Sequence, residues 1–363
     1  MPKNCQKPTG NVQSPVKSLN GKNNTIEFWR FIFTIWICLL HFDEGYAGRY
    51  YFSSGGYLGV DFFFILAGFL MMQHAMKQNQ GEEASLRAGK YFVSRIDRLY
   101  PHYIFSFFIM FLVTSAFVNR MGFLETLKSL YSAKWEILMM QYSGLAGITV
   151  LNIPTWYISA LIISSYFIYY LISRWEDVFN GFLAPIGVIL IYTYISRVGG
   201  SLDYTQQYAG FILGALLRAT AGLCLGCICY RVCEYLKSKP LLLSKNVLNI
   251  VELTIVLLTF RILCFQGRTQ EDFFILVLFS ILIIFSFLQV TFLSRLLNGK
   301  VSEILGGISY AVFCNHFLFR ILIPRFLPNI GYFNAMPFFL MASILYSFLT
   351  DLLIGHWRAL RYR

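Results

Sequence analysis

A chain of 363 residues that is 57% apolar and only 13% charged is no soluble domain, where charged residues make up roughly a quarter. It reads as a polytopic membrane protein, and its 36 Phe and 23 Tyr suit lipid-facing packing and interfacial belts. The net charge of +12 raises nucleic acid as a partner, but the placement of the basic residues in loops removes the need for one.

Residues 1–25 are polar, rich in Lys, Asn, Pro and Gly, and are expected to form a disordered tail with no cleavable leader. A span takes about 20 mostly apolar residues. Ten such stretches follow: 26–42, 57–76, 101–118, 155–173, 181–197, 208–230, 246–264, 273–294, 304–324 and 336–356. The expected fold is therefore all-α integral membrane, one membrane domain over 26–356 with a short basic tail at 357–363. The segment 121–148 is interrupted by Lys128, Lys134 and Glu136 and reads as an interfacial or partly re-entrant helix. With the N-terminus placed in the cytoplasm, nineteen of the 30 Lys and Arg fall on the inner side and seven on the outer, so both termini are expected to be cytoplasmic. Cys224, Cys227, Cys229 and Cys233 form a tempting cluster, but inside an apolar span they read as small helix-packing residues rather than a metal site.

Ionisable residues inside a span are costly and point to function. Arg30 and His41 are eleven residues apart, which returns within about 20° of the same helical face and separates them by roughly 16 Å along the axis. Asp61 lies near the outer end of the second span, at the depth of His41. It either caps its helix or orients the imidazole as a general base, and the two roles are compatible. Arg95 and Arg98 are spaced i, i+3 at the start of the third span and would share a helical face, in an arrangement suited to phosphate. The expected site is a phosphate-gripping layer inside and a His41–Asp61 pair farther out.

The pattern Arg30, ten residues, His41; Gly56-Tyr-Leu-Gly59-Val-Asp61-Phe-Phe-Phe-Ile-Leu-Ala67-Gly68-Phe69; and Arg95-x-x-Arg98-x-x-Pro101-x-Tyr103 resembles the acyltransferase-3 family of integral-membrane acyltransferases. Ser is usual where Ala67 stands. The resemblance continues in Thr155-Trp156-Tyr157-Ile158-Ser159-Ala160, in Arg218-Ala-Thr-Ala-Gly222 with Gly226, and in Ile308-Ser309-Tyr310 with Asn315-His316. It implies transfer of an acyl group, acetyl being the commonest case, from cytoplasmic acetyl-CoA or another acyl-CoA to a hydroxyl of a cell-surface carbohydrate. The implied location is the inner or plasma membrane. By that resemblance His41 is the essential histidine, and Arg30, Arg95, Arg98 and Tyr103 belong to the acyl-CoA site. Some relatives carry a fused extracytoplasmic hydrolase-like domain; here such a partner would be separate.

On the acceptor side, Trp156 and Tyr157 read either as a sugar-stacking pair or as interfacial anchors. Arg218 and His316, near mid-span, either line a substrate pathway or form a structural polar network. The competing functional class is a transporter or flippase for a lipid-linked sugar, against which stands the lack of a visible internal repeat.

Overall fold

The computed structural model describes residues 23–78, 81–145, 150–240 and 243–361. Among them ten helices are long and apolar enough to cross a membrane. Helix α1 (Asn24–Phe42) starts where the Asn23 side chain accepts the amides of Thr25 at 3.1 Å and Ile26 at 3.3 Å. A wide π turn, Asp43–Ala47, extends it and closes at Gly48 in the left-handed region. The tail expected over 1–25 is thus shortened: residues 1–22 lie outside the described residues, and 23–25 form the cap and first turn of α1.

Helix α2 (Gly59–Lys77) follows, then α3 (Ala84–Val113). The expected third span begins at 101, but α3 is already helical at Ala84. Its first half buries Ala84, Arg87, Ala88, Tyr91 and Arg95 on one side, a polar helical face that hydropathy does not register. Pro101 sits inside α3 and cannot bond the carbonyl four residues back. That carbonyl, on Asp97, instead accepts Arg358 Nη2 at 3.2 Å.

The short amphipathic α4 (Phe123–Ser132) has no buried side chain, in line with an interfacial position. Helix α5 (Trp156–Arg174) is followed by α6 (Ala184–Tyr194), which π turns flank on both sides. The stretch expected as one span from 208 opens instead as a two-strand hairpin. Strands β1 (Tyr208–Ala209) and β2 (Ile212–Leu213) pair across Gly210, whose φ of +62° lies in the left-handed region. Helix α7 (Gly214–Lys237) starts only after it. Then come α8 (Lys245–Phe265) and α9 (Phe274–Leu288), the latter ending before the expected 294 because Gln289 turns left-handed. Helices α10 (Lys300–Phe326) and α11 (Tyr332–Arg361) complete the bundle. The basic tail expected from 357 is the last turn of α11 as far as Arg361; residues 362–363 lie outside the described residues.

Helix α2 is the centre of the bundle, enclosed by α7, α5, α1 and α9, while α1 packs along α10 and α10 along α11. Membrane helices approach closely through small residues, and α2 and α7 do so to the limit. A Cβ on Gly68 would lie 2.0 Å from the Leu223 carbonyl oxygen, and one on Gly226 would lie 2.0 Å from that of Ile65. The buried Cys227 thiol donates to the Gly68 carbonyl at 3.5 Å, so this cysteine serves the crossing. Gly226→Ala is expected to lower the melting temperature of the detergent-purified protein, since overpacking costs about 1–3 kcal/mol. Gly355→Ala, with nothing within 4 Å of the added methyl, should leave it unchanged.

Candidate functional site

The polar residues inside the bundle collect at two levels, marked by the two ends of α1. At the Arg30 end, Arg30 Nη1 pairs with Glu27 Oε2 at 2.7 Å one turn earlier on the same helix. Arg95 is buried, and its Nη1 donates to the Tyr91 hydroxyl at 2.8 Å. Its Nε is buried without a hydrogen-bond partner among the described residues. Arg98 is exposed and within electrostatic reach of both Arg95 and Arg30. The structure thus brings the three arginines together, although like charges repel. What holds the Arg95–Arg98 segment is α11, whose Arg358 Nη2 donates to the Arg98 carbonyl at 2.8 Å, and α10, whose Tyr310 hydroxyl donates to that of Leu99 at 3.0 Å. Behind Arg95 the Tyr91 and Tyr169 rings stack at 4.1 Å, and His74 Nδ1 lies 2.9 Å from the Tyr169 hydroxyl. From the sequence His74 reads as an incidental histidine at a span end, and nothing there singles out Tyr91 or Tyr169.

Tyr103, expected at this level, is buried farther along α3. Its hydroxyl is committed to the main-chain carbonyl of Glu136, so it ties the 121–145 segment to the bundle. The carboxylate of Glu136 accepts the amides of Leu151 at 2.8 Å and Asn152 at 2.9 Å. Burial raises its pKa and those two hydrogen bonds oppose the rise.

At the other level, His41 Nδ1 lies 3.4 Å from Glu44 Oε2, and the imidazole is 14% exposed. Glu44 occupies the π turn that prolongs α1, which puts it one turn beyond His41. Its Oε1 accepts the Tyr50 hydroxyl at 2.8 Å and lies 3.6 Å from Arg268 Nη2. Arg268 also binds Asp203 Oδ2 through Nε at 2.6 Å. Three loops therefore meet beside His41. The neighbouring Asp43 fixes the first of them: it accepts Ser53 Oγ at 2.6 Å, the Tyr51 amide at 2.9 Å and the Tyr332 hydroxyl.

The expected His41–Asp61 pair does not form. Asp61 is fully buried, and Arg218, also fully buried, grips it with Nε on Oδ1 at 3.0 Å and Nη2 on Oδ2 at 2.6 Å. Arg218 Nη2 additionally donates to the Tyr57 carbonyl at 2.9 Å. Asp61 and Arg218 are thereby occupied by each other, joining α2 to α7, and the carboxylate beside His41 is that of Glu44. The sequence carried a signal for this, since Glu44 is i+3 from His41, but it required the helix to run past the apolar stretch.

Trp156 is partly buried, with the Arg218 guanidinium 5.6 Å from its ring centroid. Tyr157 is buried against Phe64 at 4.7 Å and Phe313 at 5.6 Å between ring centroids, within electrostatic reach of Arg95 and Arg30. It stands between the two levels. His316, fully buried on α10, stacks on His41 with ring centroids 5.4 Å apart and planes 23° apart. Arg320, one turn on, donates from Nε to the His41 carbonyl at 3.0 Å.

The sequence over residues 23–354 matches a protein-family model described as an acyltransferase domain. No curated protein and no solved structure matches the chain.

Removing one partner of a buried ion pair strands the other charge, at about 3–5 kcal/mol. Asp61→Ala is therefore expected to cut the yield of folded protein and its melting temperature sharply. Asp61→Ala with Arg218→Met should recover most of the loss in the same melting assay. Normal stability of Asp61→Ala alone would show that the pair does not support the fold.

Proposed function

The chain belongs to the acyltransferase-3 family, and on that premise we propose that this multi-pass membrane acyltransferase takes its acyl group, acetyl in the first instance, from cytoplasmic acyl-CoA and delivers it to a hydroxyl of a cell-surface carbohydrate. In this reading the protein resides in the inner or plasma membrane. The loop-charge asymmetry supports placing the Arg30 level at the cytoplasmic side.

The observation that carries the reading is the pairing of levels on α1. Arginines with unused donor capacity gather at one end, and an imidazole backed by a carboxylate stands at the other, with roughly 16 Å of helix between them. Such a separation suits a substrate whose phosphates are anchored far from its reacting end. Arg30, Arg95 and Arg98 bind the phosphates of CoA, as guanidinium groups do. Glu44 accepts the Nδ1 proton of His41, which leaves Nε2 as the basic nitrogen. His41 Nε2 removes the proton of the acceptor hydroxyl as its oxygen attacks the thioester carbonyl carbon. The C–O bond forms, the C–S bond breaks, and the proton passes from His41 to the departing sulfur. Glu44 takes over the orienting role that the sequence suggested for Asp61.

The test is thiol release from acetyl-CoA by purified protein in liposomes, with a crude glycan extract as acceptor. His41→Ala should lose about 10²–10⁴-fold in turnover while binding CoA as the wild type does. Glu44→Gln should lower kcat with KM for acetyl-CoA unchanged, at near wild-type melting temperature. Near-normal turnover of His41→Ala would remove the catalytic assignment. Arg95→Ala and Arg98→Ala should each weaken CoA binding about tenfold, equal to 1.4 kcal/mol, and unchanged affinity would reduce these arginines to topology determinants.

A further inference from the structure

His316 holds an unused function. Its Nδ1 lies 2.8 Å from the Phe313 carbonyl oxygen and 3.2 Å from that of Val312, on its own helix. A nitrogen facing two carbonyl oxygens carries the proton, so the tautomer is fixed and Nε2 is a bare lone pair. That Nε2 is buried and has no hydrogen-bond partner among the described residues. A buried acceptor left open costs free energy unless something fills it. The ring lies against His41 at 5.4 Å, which puts this lone pair beside the proposed transfer centre.

The two imidazoles differ in surroundings. His41 has a carboxylate, Glu44, at 3.4 Å and can hold a proton as an ion pair. Around His316 the ring contacts are His41, Phe313 and Phe317, and the charged groups that bear on it are His41 and Arg320. None of these contacts, among the described residues, carries a negative charge. His316 is therefore suited to accept a hydrogen bond and to stay neutral, whereas His41 is suited to take the proton away.

A hydroxyl has one proton to donate, and at the reacting oxygen that proton goes to His41. The lone pair of His316 needs a second donor. We propose that His316 is a specificity-determining acceptor for a second hydroxyl of the substrate next to the one acylated, so that this centre recognises a vicinal diol and not a lone alcohol. The inference rests on the acyl-transfer reading of His41. It gives an apolar-walled site a means of refusing simple alcohols, since a site built to hydrogen-bond a hydroxyl strongly rejects analogues lacking it.

The probes are cis-cyclohexane-1,2-diol and cyclohexanol, given with acetyl-CoA to the full-length protein in liposomes. The wild type should favour the diol by about 100-fold or more in kcat/KM for thiol release. In His316→Phe, which keeps a ring against His41, the preference should collapse to within about threefold while CoA affinity is unchanged. A preference that survives in His316→Phe overturns the proposal. A second measurement needs neither turnover nor the variant: ¹⁵N NMR of histidine-labelled wild type. The neutral imidazole protonated at Nδ1 should show its Nε2 signal shifting on addition of the diol and not on addition of cyclohexanol. No shift with the diol, or equal shifts with both, overturns the proposal, and the latter would identify an undemanding or water-filled site. A diol-specific shift with no thiol release from any acceptor would keep the second acceptor and reject acyl transfer itself.

Discussion

The buried pair between Asp61 and Arg218 is the constraint around which the rest is arranged. Both side chains are 0% exposed, and charge at such depth is tolerable only when it is matched by its opposite. Satisfying it fixes the rotation of α2 relative to α7, because two oxygens must meet two nitrogens in one plane. It also sets the outer surroundings. The third nitrogen of Arg218 lies 3.8 Å from Asp203, Asp203 holds Arg268, and Arg268 reaches Glu44. A chain of alternating charge thus runs from the middle of the bundle to the carboxylate that faces His41, and loops distant in sequence are placed by it.

Depth was legible in the sequence and direction was not. Hydropathy located all ten helices and put Arg30 and His41 at opposite ends of one of them, because burial in lipid acts on composition. It also put Asp61 and His41 at similar depth. It could not say which way Asp61 points around α2, and the partner that claims it lies 157 residues later. Glu44 falls beyond the apolar stretch that ends at residue 42, and the π turn that carries it past His41 leaves no trace in hydropathy. The first half of α3 was missed for a related reason: its buried face contains Arg87, Tyr91 and Arg95, residues that a hydropathy average counts as solvent-facing. Tyr103 shows the limit of carrying roles by position alone. It sits two turns beyond Arg95, and its hydroxyl is consumed by main chain.

Helix α1 connects the two levels as a rigid spacer. Its ends are fixed separately, by the Asn23 cap at one side and by Asp43 with its three hydrogen bonds at the other. Neither the arginine level nor the imidazole level can drift along the axis without breaking one of these. The buried polar groups at the two ends hold a fixed distance, which is the property required of a site that must grip one part of a molecule and react at another.

The side-chain-free crossing of α2 and α7 has a mechanical consequence. At Gly68 and Gly226 the two backbones touch with no side chain between them, and a short way along the same helices Arg218 and Asp61 lock them again. Two fixed points on a pair of rods forbid both sliding and scissoring. Any breathing of the interior must therefore come from the helices around this pair, which forms an immobile keel.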